Sequence, residues 1–102
     1  MGLEDWGPAE NSLRQAIAKG PRNAIPRVNL ASLLARRGLH EESARLYAEA
    51  TRISPGLGPA WRGLGAALSE LQRPDKARNA LKRALELNPR DRSAKTLLNR
   101  LP

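Results

Sequence analysis

A period of 34 residues runs through this chain, marked by Pro21, Pro55 and Pro89. Other residue types keep its register: Ala16, Ala50 and Ala84; Leu13, Tyr47 and Leu81; Leu30 and Leu64; Ile53 and Leu87; Ala9, Ser43 and Ala77. A fixed period of this length means that one supersecondary unit is copied along the chain. The class of fold is then set before any single helix is assigned. Units of this kind cannot bury their apolar faces alone, so they stack on their neighbours. The product is an extended surface suited to binding.

Each period reads helix, turn, helix. In the clearest copy, Pro59 suits the first helical position, where a missing N–H leaves no bond unmade. Trp61, Leu64, Gly65 and Leu68 then fall on one helical face. Gln72-Arg73-Pro74-Asp75 interrupts that helix, and Ala77, Leu81, Ala84, Leu85 and Leu87 give the next its apolar side. Asn88-Pro89 stops it, because a residue before proline is pushed out of the α region. In the preceding copy Pro26 is expected to open the helix carrying Val28, Leu30, Ala31, Leu33 and Leu34. Gly38 suits the left-handed residue that closes it. Glu41 and Glu42 fall in the first turn of the following helix, where carboxylates favour the dipole. Ala44, Tyr47, Ala50, Thr51 and Ile53 continue it to Ser54-Pro55.

The register divides the chain into an N-terminal segment and inter-helix turn (1–7), a lone second helix (8–23), whole units at 24–57 and 58–91, and a lone first helix (92–102). In the first fragment Ala9, Leu13, Ala16 and Ile17 are core candidates; in the last, Ala94, Leu98 and Leu101. The expected class is all-α.

Composition narrows the chemistry. The chain has 102 residues and no cysteine, so disulfides, thiolate metal sites and thiol nucleophiles are excluded. No apolar run approaches the roughly 20 residues of a membrane span. Met1-Gly2-Leu3-Glu4-Asp5 is acidic and lacks an apolar signal core; a cytoplasmic protein with no membrane partner is the expectation. The net charge is +8, from 14 Arg and 4 Lys against 10 acidic residues. These cations are spread over every segment without the clustering that nucleic-acid binding shows, so no specific nucleic-acid partner is expected.

The residues resemble the tetratricopeptide repeat (TPR) family, whose pattern is Trp-x2-Leu-Gly-x2-Tyr, then Ala-x3-Phe, then Pro. Trp61, Leu64, Gly65, Leu68, Ala77, Leu81 and Pro89 follow it, with leucine in place of Tyr and Phe. The copy at 24–57 is looser, with Arg27 at the tryptophan position, and Asp5-Trp6-x-x-Ala9 resembles the family's inter-helix turn. The resemblance covers nearly the whole chain. It implies a right-handed superhelical solenoid of antiparallel helix pairs, with first helices lining the concave side.

No catalytic set stands out. His40, the single histidine, lies at a helix–helix turn beside Glu41 and reads as a surface residue. Gly58-x4-Gly63 is followed by Leu64, so it is no phosphate loop. Metal-ligand spacing is absent, and no cofactor is expected. Trp6, Tyr47 and Trp61 occupy repeat core positions and read as packing. The expectation is a protein that is not an enzyme.

The resemblance instead implies a peptide groove. The family's inward positions fall on Ile25, Val28, Asn29, Ser32, Ala35 and Arg36 in one unit. In the next they fall on Pro59, Arg62, Gly63, Ala66, Ser69 and Glu70, and in the last helix on Thr96 and Arg100. The candidate peptide-binding residues are Val28, Asn29, Ser32, Arg36, Arg62, Ala66, Ser69, Glu70 and Arg100. The arginines can grip carboxylates bidentately, which favours an acidic protein or peptide partner. Chaperone-binding members carry a clamp of Lys and Asn, then Asn, then Lys and Arg on successive first helices. Asn29 fits the middle role, but Pro59 and Gly63 stand where Lys and Arg belong, which argues against that clamp. The leading expectation is a protein-interaction scaffold. The alternatives are a substrate-recognition or docking segment of a larger enzyme or secretion component, and a module that self-associates head to tail through 8–19 and 92–101.

Overall fold

A computed structural model describes residues 5–102; residues 1–4 of the N-terminal segment, with Glu4 of its acidic Glu4-Asp5 pair, lie outside it. Among the described residues there are six helices and no strand: α1 (Gly7–Lys19), α2 (Ala24–Arg36), α3 (His40–Ile53), α4 (Gly58–Glu70), α5 (Pro74–Leu87) and α6 (Arg92–Asn99). The fold is an all-α helical repeat. α2 packs on α3 and α4 on α5, and α3 joins the two pairs by packing on α4. α2, α4 and α6 form a row, each touching the next. α3 and α5, by contrast, do not touch.

Small residues let the helices approach. Ala31, Ala50, Ala60, Ala77, Ala84 and Ala94 have no exposed surface, and between them lie Leu30, Leu34 and Leu81, also sealed from water. Burying such a leucine contributes about 1.5–3 kcal/mol. Ser43 takes the alanine position of its unit and is fully buried. Its hydroxyl donates to the Ala31 carbonyl at 2.8 Å, which satisfies the polar atom.

The helix ends follow local chemistry. α2 closes on Gly38 with φ of 79°, the Gly38 N–H reaching Ala35 O and the Leu39 N–H reaching Leu34 O, both at 2.9 Å. These two bonds define a Schellman closure. One period later the same pair recurs at the end of α4: Gln72 N–H to Ser69 O at 3.0 Å and Arg73 N–H to Leu68 O at 2.9 Å. Here the left-handed residue is Gln72, with φ of 58°. Asn23, Leu57 and Asp91 precede α2, α4 and α6 at equivalent positions; Asn23 and Asp91 cap with their side chains, whereas Leu57 does not.

Some boundaries differ from the sequence reading. Pro26 does not open α2, which begins at Ala24 behind the Asn23 cap. Proline is tolerated at this third position because first-turn N–H groups have no intrahelical acceptor. α6 stops at Asn99, and Leu101 packs beyond it against the Leu68/Ala77 and Leu81/Ala94 clusters.

Candidate functional site

The expected peptide-binding residues are distributed along the row α2–α4–α6. Asn29, Ser32 and Arg36 are exposed on α2, and Val28 beside them is half-buried. Arg62, Ala66 and Ser69 are half-buried on α4, with Glu70 exposed at its end. Arg100 is exposed immediately after α6. Glu70 Oε1 lies 3.7 Å from Nε2 of His40, which is the first residue of α3. His40 is less superficial than its sequence context indicates, since its Nδ1 is buried without a partner.

The three arginines are not equivalent. Arg62 donates to Asp91 at 2.9 Å, and Asp91 is almost fully buried. The other oxygen of Asp91 caps α6 by accepting from Ala94 N at 3.0 Å. Burial alone would raise the Asp91 carboxyl, but the Ala94 hydrogen bond together with the Arg62 bond and charge outweigh it and hold it below the ordinary carboxylate value. The Arg36 guanidinium sits 6.0 Å over the Trp6 ring, at the limit of cation–π range. Arg100 has neither kind of neighbour among the described contacts.

Tyr47 is an unanticipated member of this face. A Cβ placed on Gly63 would meet the Tyr47 ring at 2.3 Å, so the ring from α3 lies directly on the backbone of α4. Burial raises its phenol above the ordinary value, and the nearby Ser32 hydroxyl and Arg62 charge oppose that shift. Tyr47 therefore carries a hydroxyl between α2 and α4, beside two expected binding residues. The Tyr47/Gly63 pairing of a large and an absent side chain was the signal in the sequence.

A cleft of about 970 Å³ lies on the opposite side of α4, between the second helices α3 and α5. Trp61, Leu64 and Leu68 of α4 form its floor. Ala44 and Ala48 of α3 and Ala80 of α5 keep its walls low, and Lys76, Asn79 and Arg83 edge the α5 side. The indole Nε1 of Trp61 donates to the Pro55 carbonyl at 2.8 Å, so what Trp61 offers the cleft is apolar. Sequence reasoning placed Trp61 in the core and overlooked this side. The signal available was a difference between the copies, which a search for similarity passes over.

Among the described residues no cluster of three or more His, Asp or Glu could hold a metal ion, and no helix is long and apolar enough to cross a membrane.

Known proteins place this geometry. Family models described as Tetratricopeptide repeat match residues 34–101 and 1–57. The human Interferon-induced protein with tetratricopeptide repeats 2 is 36% identical over 94 residues, covering 85% of this chain and 20% of that protein. The Protein CTR9 homolog of Arabidopsis thaliana is 34% identical over 87 residues, covering 81% of this chain and 8% of that protein. The chain thus spans a fifth or less of the length of these relatives. Among solved structures, the first TPR of Spaghetti (RPAP3) bound to the HSP90 peptide SRMEEVD has a TM-score of 0.89 at 23% identity, covering 92% of this chain and 75% of that one. The Arabidopsis OM64 TPR domain has a TM-score of 0.89 at 26% identity, with 93% and 78% covered.

Proposed function

The chain belongs to the tetratricopeptide repeat family, and on that premise we propose that it is a protein-interaction scaffold holding an acidic peptide segment along the α2–α4–α6 face. The observation that carries this reading is the placement of Asn29, Ser32, Arg36, Arg62 and Arg100 along one row of helices. An amide and a hydroxyl can pair with a ligand backbone, and guanidinium groups pair with carboxylates. The structural neighbours described as bound to HSP90 and HSP70 peptides, SRMEEVD and SGPTIEEVD, support acidic ligands for this architecture.

The expected mode is not a clamp on a chain terminus. Pro59 and Gly63 offer no charge, Arg62 is engaged by Asp91, and Arg100, at one end of the row, has no ion pair among the described residues. Internal carboxylates of the ligand are the groups expected to matter.

Fluorescence anisotropy with labelled SRMEEVD as the probe tests this. Replacing its glutamates by glutamine is expected to weaken binding about fivefold or more, whereas amidating its C-terminus changes little. Asn29→Ala and Arg100→Glu in the protein are each expected to weaken it by a similar factor. Arg62 is a poorer probe, because its loss also frees Asp91. Unchanged affinity in both Asn29→Ala and Arg100→Glu would mean that the peptide does not lie on this face.

A further inference from the structure

The two intervals between successive second helices are built from equivalent positions, yet an arginine of α1 bridges the first and a cleft lies in the second. Between α1 and α3, Arg14 reaches from α1 to Glu42 of α3 at 2.9 Å and also pairs with Glu10. Arg37 pairs with Glu10, and Arg27 of α2 pairs with Glu49 of α3 at 3.1 Å. Leu46 of α3 is buried in the cluster against which Leu13 and Ile17 of α1 pack. One period on, between α3 and α5, every partner in these clasps has changed. Ala48 replaces Arg14, Lys76 replaces Glu42, Trp61 replaces Arg27, Arg83 replaces Glu49 and Ala80 replaces Leu46. Neither clasp can form; Arg73, at the start of α5, pairs with Glu41 of α3 at 3.1 Å at one end only, and beside it lies the cleft of about 970 Å³ over Trp61, Leu64 and Leu68.

We propose that this second cleft, on the side of the molecule away from the α2–α4–α6 row, is a docking site for an amphipathic acidic helix of a partner protein. Its apolar side chains would pack on Trp61, Leu64 and Leu68, and its carboxylates would face Lys76 and Arg83. Three observations choose this occupant. The floor is apolar and its one indole N–H is already bonded, so it suits hydrocarbon side chains. The lining carries four basic residues against two acidic ones; Glu41 and Glu42 are paired with Arg73 and Arg45, Arg83 is shared with Glu86 at 3.0 Å, and Lys76 pairs with no acid among the described residues. The lining from Glu41 to Ala48 spans two helical turns, about 10 Å, which matches apolar side chains at i, i+3 or i+4, and i+7 of a docked helix. A second copy of the chain suits it less, because each copy carries a net charge of +8.

The test restores the clasp of the first interval. Ala48→Arg with Lys76→Glu recreates the Arg14–Glu42 pair at half-buried and exposed positions, so folding is expected to persist and is checked by the thermal midpoint. The probe is a labelled 16-residue helical peptide with leucines at i, i+3, i+4 and i+7 flanked by glutamates, compared with the same peptide carrying lysines. In a Trp6→Phe background, Trp61 alone reports on the cleft by its emission.

The glutamate peptide is expected to bind the native protein and shift Trp61 emission. The double variant and the lysine peptide should each weaken binding at least about tenfold. Asn29→Ala and Arg100→Glu on the opposite face should leave it unchanged. Absence of binding by the glutamate peptide, equal affinity in the clasped variant, or equal affinity of the lysine peptide would each overturn the proposal. Self-association of the native protein that the clasp abolishes would replace the acidic helix with a second copy.

Discussion

Arg62 and Asp91 are joined at 2.9 Å across 29 residues of sequence, and the carboxylate that receives the guanidinium is the same one that caps α6. One aspartate thus fixes the last helix to α4 and starts it. Because its folded-state pKa is depressed, Asp91 contributes stability that is complete above its unfolded value of about 3.9 and is lost as pH falls through the folded value. Asp91→Asn retains a capping oxygen and removes the charge. It is expected to cost about 1 kcal/mol at pH 7, and the gap between native and variant should close towards pH 2. Urea unfolding of both proteins across this range measures it. A gap independent of pH would assign the cost to something other than the charge.

Gly38 and Gln72 occupy equivalent positions with the same left-handed backbone, 79° and 58°. A glutamine there carries a strain of about 1 kcal/mol that glycine does not. Gln72→Gly is expected to raise the unfolding midpoint and Gly38→Gln to lower it, each by about that free energy. Thermal unfolding followed by circular dichroism reads both changes. A fall in the midpoint with Gln72→Gly would contradict the strain argument.

Gly63 lies beneath the Tyr47 ring with no room for a methyl group, since the nearest ring carbons would be 2.3 Å away. A ring packed mid-helix cannot swing clear as a flexible tip would. Gly63→Ala is expected to destabilise by about 1–3 kcal/mol. The equivalent positions one period earlier hold Asn29 and Leu13, a side chain in place of glycine and a leucine in place of the ring. Tyr47→Leu should therefore recover part of the loss in Gly63→Ala. If the double variant is no more stable than Gly63→Ala, the clash lies elsewhere.

Head-to-tail pairing through 8–19 and 92–101 is set against a solvating role for α6. Arg92, Ser93, Lys95, Thr96 and Asn99 leave a polar, exposed side on that helix. A polar outer side is what a terminal repeat helix presents when it caps a stack. Light scattering over a concentration series is expected to give the monomer mass throughout, at low salt and at 1 M salt, where charge repulsion is screened. A mass that climbs with concentration would favour pairing.

The period made the helical repeat legible, because Leu30, Leu64, Tyr47, Leu81 and the prolines are constrained by packing that recurs in every unit. It also set the row of first helices on which Asn29, Arg36 and Arg62 stand. What similarity could not carry was the individual state of each side chain. Arg62 and Arg36 both fall on inward positions of the pattern, yet one is bonded to the aspartate that caps α6 and the other lies over Trp6. Gln72 takes a left-handed conformation because the Schellman bonds of the unit demand it, against the preference of its side chain. The cleft between α3 and α5 arises from substitutions that break the period, such as Ala48 for Arg14 and Lys76 for Glu42.

The attachment of α1 has a consequence for how the molecule opens. α1 contains no fully buried residue, packs on α2 through Leu13 and Ile17, and is otherwise held by the Arg14–Glu42 and Glu10–Arg37 pairs. Exposed ion pairs weaken as salt rises, while apolar burial does not. Neighbour-only stacking lets one end fray without melting the rest. Amide exchange should therefore be fastest in α1 and accelerate there with added salt, with α3 to α5 keeping their protection. At α1 the stack is latched mainly by charge and in its middle it is held mainly by hydrocarbon, so the ionic strength of the surroundings acts most strongly on the latch.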